Sequence, residues 1–216
     1  MKITYCGNSY FILESSSIKI AIDPHDGGSL NLRPCTTSAD YIIITHDHYD
    51  HNAYMMAFGK NTKRILRGKE GQKFRLENAF LEFYDFYHDS FNGTFFGKVS
   101  GFKLLLEEMN IVNLSDIGQR YEATFSRLKP IDILMIPIGG VTTIGYEEAY
   151  TFIEELRPKI VLPMHYWIKG SNLPYDSIDS FIKNSRFDVE FRENNVLTVK
   201  KESLQDNTKI IVLNYV

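Results

Sequence analysis

Three of the chain's six histidines fall in one window, His46-Asp47-His48-Tyr49-Asp50-His51. Neutral imidazole and carboxylate are the ligands expected for Zn²⁺, Fe²⁺ or Mn²⁺. In an extended segment alternate side chains share a face. His46, His48 and Asp50 then point one way as the chain leaves the apolar run at 41–45, and His51 can turn to another side. One short loop could thus offer two imidazoles to one metal, and a carboxylate with an imidazole to its neighbour. A polar loop without ligands is the plainer reading of a lone histidine. A cluster this dense behind a buried-type strand favours metal chemistry instead. The chain has no Gly-x-Ser-x-Gly elbow for a serine nucleophile and no Gly-x-x-x-x-Gly-Lys phosphate loop.

Elements that would position such a site can be read on both sides of the window. Residues 2–6, 10–14, 18–23 and 41–45 read as short strands divided by Gly, Asn or Ser turns. Residues 52–59 suit a short helix stopped at Gly59. Further strands are expected at 64–67, 79–87, 102–107 and 111–114, with a tight hairpin at Glu108-Met109-Asn110. The second half alternates: helices at 121–128, 146–156 and 176–184, and strands at 131–136, 159–162, 195–200 and 209–213. Strands first and strand–helix alternation later indicate layered α/β with mixed sheets. The loop at 24–38 is longer than the usual connection, and long loops in compact domains are often functional.

Composition narrows the function classes. The chain has 216 residues, and 24 Lys+Arg face 27 Asp+Glu for a net charge of −3. That length fits one domain over 1–216, with no repeat or linker to divide it. The acidic balance argues against general nucleic-acid or membrane-surface binding. Neither a signal core nor a run of membrane-spanning length is evident, so a soluble cytoplasmic protein is expected. Cys6 and Cys35 are too few for a disulfide framework and are expected as reduced thiols, with one bridge as the alternative.

Four further segments share a pattern with the histidine window: Ile20-Ala21-Ile22-Asp23-Pro24, Tyr87-His88-Asp89-Ser90, Leu114-Ser115-Asp116-Ile117-Gly118 and Val161-Leu162-Pro163-Met164-His165-Tyr166. With them the chain resembles the metallo-β-lactamase fold superfamily of metal-dependent hydrolases. Ile136-Pro137-Ile138-Gly139-Gly140 resembles the branch that contains the L-ascorbate phosphate lactonase and its uncharacterised relatives. The resemblance runs in order over residues 1–166. It implies a four-layer αββα sandwich with two mixed β-sheets. It also implies two divalent metal ions, zinc first, with manganese or iron as alternatives. His46, His48 and His88 would hold one ion, and Asp50, His51 and His165 the other. Asp116 would bridge them, one oxygen to each ion, across the roughly 3.5–4 Å typical of paired metals. Ser115 stands where the family usually has Gly.

The expected chemistry follows. Water held by the metals has its pKa lowered to about 7 and attacks a carbonyl carbon or phosphorus. Asp50, the catalytic candidate, would orient the hydroxide and take its proton. A small molecule with an ester-type bond (a lactone, a carboxylic or a phosphate ester) is the expected substrate. A phosphodiesterase or nuclease-like member and a non-catalytic metal-binding or sensing domain are the alternatives. Assembly into a homo-oligomer stays open. Asp23 is either a partner that fixes the tautomer of a ligand histidine or a strand-end turn carboxylate. Asp89 is either such a partner or an extra ligand. His25 reads as a surface-loop residue, with a contact to substrate or to a ligand residue as the alternative. Tyr166 and Trp167 either line a pocket or pack, and Gly139-Gly140 would let backbone approach the site.

Overall fold

The computed structural model describes residues 1–120 and 122–215. The first sheet holds β1 (Lys2–Tyr5), β2 (Phe11–Glu14), β3 (Lys19–Ile22), β4 (Tyr41–Ile44), β5 (Arg64–Arg67) and β13 (Val196–Thr198), in the order β13-β1-β2-β3-β4-β5. The second holds β6 (Lys73–Leu76), β7 (Ala79–Tyr87), β8 (Lys98–Leu106), β9 (Met109–Asn113), β10 (Ile133–Pro137), β11 (Ile160–Met164), β12 (Asp188–Arg192) and β14 (Lys209–Leu213), in the order β12-β14-β11-β10-β9-β8-β7-β6. Both sheets are mixed, and the expected α/β sandwich is what the chain forms: β3, β4 and β5 run parallel, as do β9, β10 and β11.

Strand periodicity explains the layering. Along β4, Tyr41 and Ile43 join the main core between the sheets, while Ile42 and Ile44 join a second cluster with Tyr10, Ile12 and Ala57 on the other face. A strand apolar on both faces must be covered on both. A loop and a 3-10 turn at Tyr54–Met56 cover that face, in place of the helix expected at 52–59. Ala53 N–H donates to Pro24 and Thr37 N–H to Met56, so the segment is tied to the 24–38 loop rather than to its own next turn. The helices are α1 (Glu122–Phe125), α2 (Tyr146–Leu156) and α3 (Ile178–Lys183). Tyr121, the first residue of the expected 121–128 helix, lies outside the described residues. Helix α2 is the crossover between parallel β10 and β11 and buries Ala149, Phe152, Ile153 and Leu156. Glu147 and Glu148 in its first turn suit the positive end of the helix dipole.

Several expectations need correction. The β8–β9 hairpin turns one residue earlier than expected, at Glu107-Glu108, with φ of 48° and 61°. Both values fit the primed turn that matches strand twist. The Glu107 carboxylate also accepts from the Met1 amine at 2.6 Å. Strands β6 and β12 were not expected, because each is a mostly polar edge strand, as edges must be to avoid further pairing. The thiols are not reduced: Cys6 and Cys35 form a disulfide, because the 24–38 loop folds back over the end of β1 and brings their Cα atoms to 5.8 Å. Among the described residues no helix is long and apolar enough to cross a membrane.

Ile43 is fully buried between the sheets three residues before the histidine window. Ile43→Ala is expected to lower the unfolding free energy by about 2–5 kcal/mol in urea titrations. A loss below about 1 kcal/mol would mean that the inter-sheet core is not closed there.

Candidate metal centre

Strand ends deliver the site. His46 lies two residues past the end of β4, His88 directly after β7, Asp116 three residues past β9 and His165 directly after β11. All seven expected ligands meet. His46, His48, His88 and Asp116 form one group and Asp50, His51, Asp116 and His165 a second, the donor atoms within each lying inside 4.8 Å of one another. Asp116 belongs to both. Its Oδ2 is 3.1 Å from the Nε2 atoms of His51 and His165, and 3.6 and 3.7 Å from those of His46 and His88. All four contacts fall on one oxygen, where one oxygen for each ion was expected. His48 Nδ1 is 3.1 Å from His46 Nε2 and 3.2 Å from His88 Nε2.

Each ring has a neighbour that orients it. His88 Nδ1 lies 3.0 Å from the Thr142 carbonyl, so that nitrogen carries the proton and Nε2 presents a lone pair. Asp23 plays both of its expected parts: it accepts from Thr45 N–H and Oγ1 at 2.8 and 2.7 Å, and its Oδ2 is 3.2 Å from His51 Nδ1. Thr45 Oγ1 is 3.0 Å from His46 Nδ1 and accepts from Ser115 Oγ at 2.8 Å. That bond joins the two sheets beneath the site. A second joins them where His165 N–H donates to the Asn8 carbonyl at 3.0 Å.

Burial sets the electrostatics. Burial first, then the neighbouring His51, pushes His46 down to about 2, so it is a neutral donor. Burial alone would raise the Asp116 carboxyl, but His165 and His51 outweigh it and hold it well below the usual carboxylate range. Burial would likewise lower His51, yet Asp116 and Asp50 hold it well above the usual imidazole value. The pocket therefore favours positive charge at the point where the rings converge. The donors fit a cation by another test. His165 Nδ1 and Asp116 Oδ1 are buried without a hydrogen-bond partner among the described residues. Orphaned buried groups of this kind are rare unless an ion or water serves them. Histidine and aspartate suit zinc, manganese or iron, while thiolate-rich sets mark structural zinc.

Two expectations change here, and the choice left open for Tyr166 is settled. His25 is not a surface residue: it is fully buried, its Nε2 faces the Cys6 carbonyl at 3.1 Å, and its Nδ1 accepts from Gly27 N–H. It pins the 24–38 loop to the end of β1. Asp89 is in neither expected role, because its two oxygens accept the N–H groups of Phe91, Gly93, Phe95 and Phe96 at 2.8–3.0 Å. It shapes the loop behind His88. Tyr166 is buried and stacks on Tyr5, so it packs, while Trp167 is 39% exposed.

The sequence reading missed Asn8, Thr45, Thr142 and Tyr175. Asn8 Nδ2 donates to Asp50 Oδ2 at 3.1 Å, and the Tyr175 ring stacks on His165 at 4.2 Å. Nothing local marks them, although an Asn in a Gly-Asn-Ser turn beside a strand end is a weak signal. Gly139 meets its expectation: a Cβ there would overlap the His165 carbonyl, and one at Gly118 would overlap the His88 carbonyl.

Two mixed sheets with a His/Asp cleft at their strand ends define the class of metal-dependent hydrolases built on the metallo-β-lactamase fold. Comparison with known proteins agrees. The profile of the beta-lactamase superfamily domain matches residues 2–165, and the chain belongs to that superfamily. A UPF0173 metal-dependent hydrolase of Carboxydothermus hydrogenoformans is 27% identical over 191 residues, covering 77% of this chain and 84% of that one. One from Pyrobaculum islandicum is 29% identical over 194 residues, with the same coverage of 77% and 84%. A metallo-β-lactamase superfamily structure from Thermotoga maritima superposes with a TM-score of 0.76 at 24% identity, covering 99% of both chains.

Gly118→Ala is expected to cost about 1–3 kcal/mol, since the added methyl meets backbone rather than a movable side chain. Gly28→Ala, with open space around it, is the control and should melt within a degree or two of wild type. Equal melting temperatures for both variants would mean that His88 is not buttressed as described.

Proposed function

We propose that the chain hydrolyses a small ester-type bond, in a lactone or a carboxylic or phosphate ester, at two divalent cations, zinc foremost. The observation that carries this reading is the pair of donor groups sharing Asp116. His46, His48 and His88 would hold one cation and Asp50, His51 and His165 the other, with Asp116 common to both. Bound cations would polarise the scissile bond and make a water-derived nucleophile available near neutral pH.

The chain's own groups do the rest. Asp50 is the acceptor for the proton of the attacking water. Asn8 fixes its rotamer through Oδ2. Burial would raise Asp50, but the adjacent His51 more than offsets this and keeps its proton affinity low. As a carboxylate it would accept that proton and pass it to the leaving oxygen. His46 and His48 are partly exposed while the other group is buried, so the site opens on one side, as substrate entry demands.

Purified protein should carry two equivalents of transition metal, and Asp116→Ala should lose both. Chelation should abolish turnover of p-nitrophenyl esters and simple lactones, and added zinc or manganese should restore it. Protein without stoichiometric metal after expression in supplemented medium would end the proposal. Faster turnover of bis-p-nitrophenyl phosphate than of any ester would move the substrate to a phosphodiester.

Asn8→Ala should keep its metal and lose roughly 10–100-fold in kcat, the usual effect of removing a group that orients a site residue. Unchanged kcat would remove Asp50 orientation from the mechanism.

A further inference from the structure

The mouth of the site carries apolar side chains that the chemistry above does not use. Phe91, Phe95 and Phe96, on the loop between β7 and β8, are 61%, 68% and 48% exposed, and Val141 is 67% exposed. They connect to the histidines. The Phe96 ring lies 5.3 Å from the His88 ring, and Phe91 and Phe95 pack edge to face at 5.3 Å. Val141 precedes Thr142, whose carbonyl faces His88 Nδ1. Single exposed apolar residues are ordinary on a protein surface, whereas several gathered on the segments that flank one site favour contact with something apolar.

The backbone that carries them is built rather than loose. Asp89 gathers four N–H groups of the loop, and Gly97 closes it by accepting from His88 N–H at 3.0 Å. The carboxylate bonds are charge-assisted, the stronger kind. Val141 has φ of 62°, a costly conformation for a β-branched residue, and strain of this sort collects at functional sites. The phenylalanines are thus presented outward by a fixed frame whose first residue is the His88 ligand candidate.

Resting on the hydrolase reading above, we propose that this rim binds the apolar part of the substrate, an alkyl or aryl group joined to the ester-type bond. The chain or ring lies across Phe91, Phe95, Phe96 and Val141 while the bond reaches Asp50 and the histidines. Continuity with the site selects this occupant. A protein or membrane seated on Phe96 would cover His88 and close the entrance, whereas a substrate must pass there.

The test uses the full-length, metal-loaded protein with p-nitrophenyl acetate, butyrate and octanoate. The expected result is a rise in kcat/KM of at least about tenfold along the series, since each buried methylene adds to binding. In F91S/F95S/F96S the octanoate-to-acetate ratio should fall to near unity, and in F95S alone, should the triple variant not fold, it should fall in part. Calorimetry with decanoate and acetate gives a readout independent of turnover: decanoate should bind at least about tenfold more tightly to wild type, and no more tightly than acetate to the variant. Turnover that is flat with chain length, without preference for decanoate, overturns the rim and leaves the hydrolase intact. Absence of all ester turnover sinks the hydrolase reading, while the calorimetry still judges the rim. A flat series with co-sedimentation on phosphatidylcholine vesicles, lost in the variant, assigns the patch to a membrane and also overturns the proposal.

Discussion

One buried carboxylate oxygen, Asp116 Oδ2, has four imidazole Nε2 atoms within 3.7 Å. A buried charge is costly unless it is paired, and breaking such a pairing is costlier still. The four rings come from both sheets, so no single segment could satisfy Asp116. The constraint is therefore tertiary. The ends of β4, β7, β9 and β11 must arrive at one place, in register, before the charge is matched. This accounts for the site lying at the carboxyl ends of strands from both sheets, as ligand sites in α/β sheets do. It also accounts for the opposed directions of His51 and Asp116, each holding the other charged against burial.

Convergence of this kind bends the backbone sharply past four of the strands. Asn8, Asp23, Ser115 and His165, which follow β1, β3, β9 and β11, all have φ between 47° and 54°. The left-handed region costs a non-glycine residue roughly 1–2 kcal/mol. Each of these residues makes site contacts that help offset the cost. Ser115 is the clearest case, since glycine is usual there in the superfamily. Its N–H donates to Asn113 Oδ1 at 2.6 Å and its hydroxyl to Thr45, so the serine both occupies the bend and ties Thr45 beneath His46.

How much could be read in advance follows from how local each signal is. The window at 46–51 was legible because its ligands are adjacent in sequence and follow an apolar strand. His88, Asp116 and His165 are single residues at strand ends, and only the resemblance to a family singled them out. Asn8, Thr45, Thr142 and Tyr175 were not legible, because their roles arise from proximity across the sheets. Thr142 acts through its carbonyl, which every residue possesses. His25 was misread because loop sequence carries no sign that the loop folds inward. Strands apolar on both faces, such as β4 and β10, were plain, whereas edge strands β6 and β12 alternate charged and apolar residues and resemble loops.

The two halves of the centre differ in a way that gives the site a direction. Asp50, His51 and His165 are buried, with His51 backed by Asp23 and His165 covered by the Tyr175 ring. His46 and His48 reach the surface, and His88 beside them is buried at the foot of the phenylalanine loop. A molecule arriving from solvent meets the second half first. The proton acceptor of the proposed reaction, Asp50, lies in the first, held by Asn8 from the turn that follows β1. On the proposed reading, an approach over His48 would carry the reacting bond toward Asp50 and leave the rest of the substrate on the apolar rim. The same asymmetry of burial that encloses one half would thus order a substrate across the other.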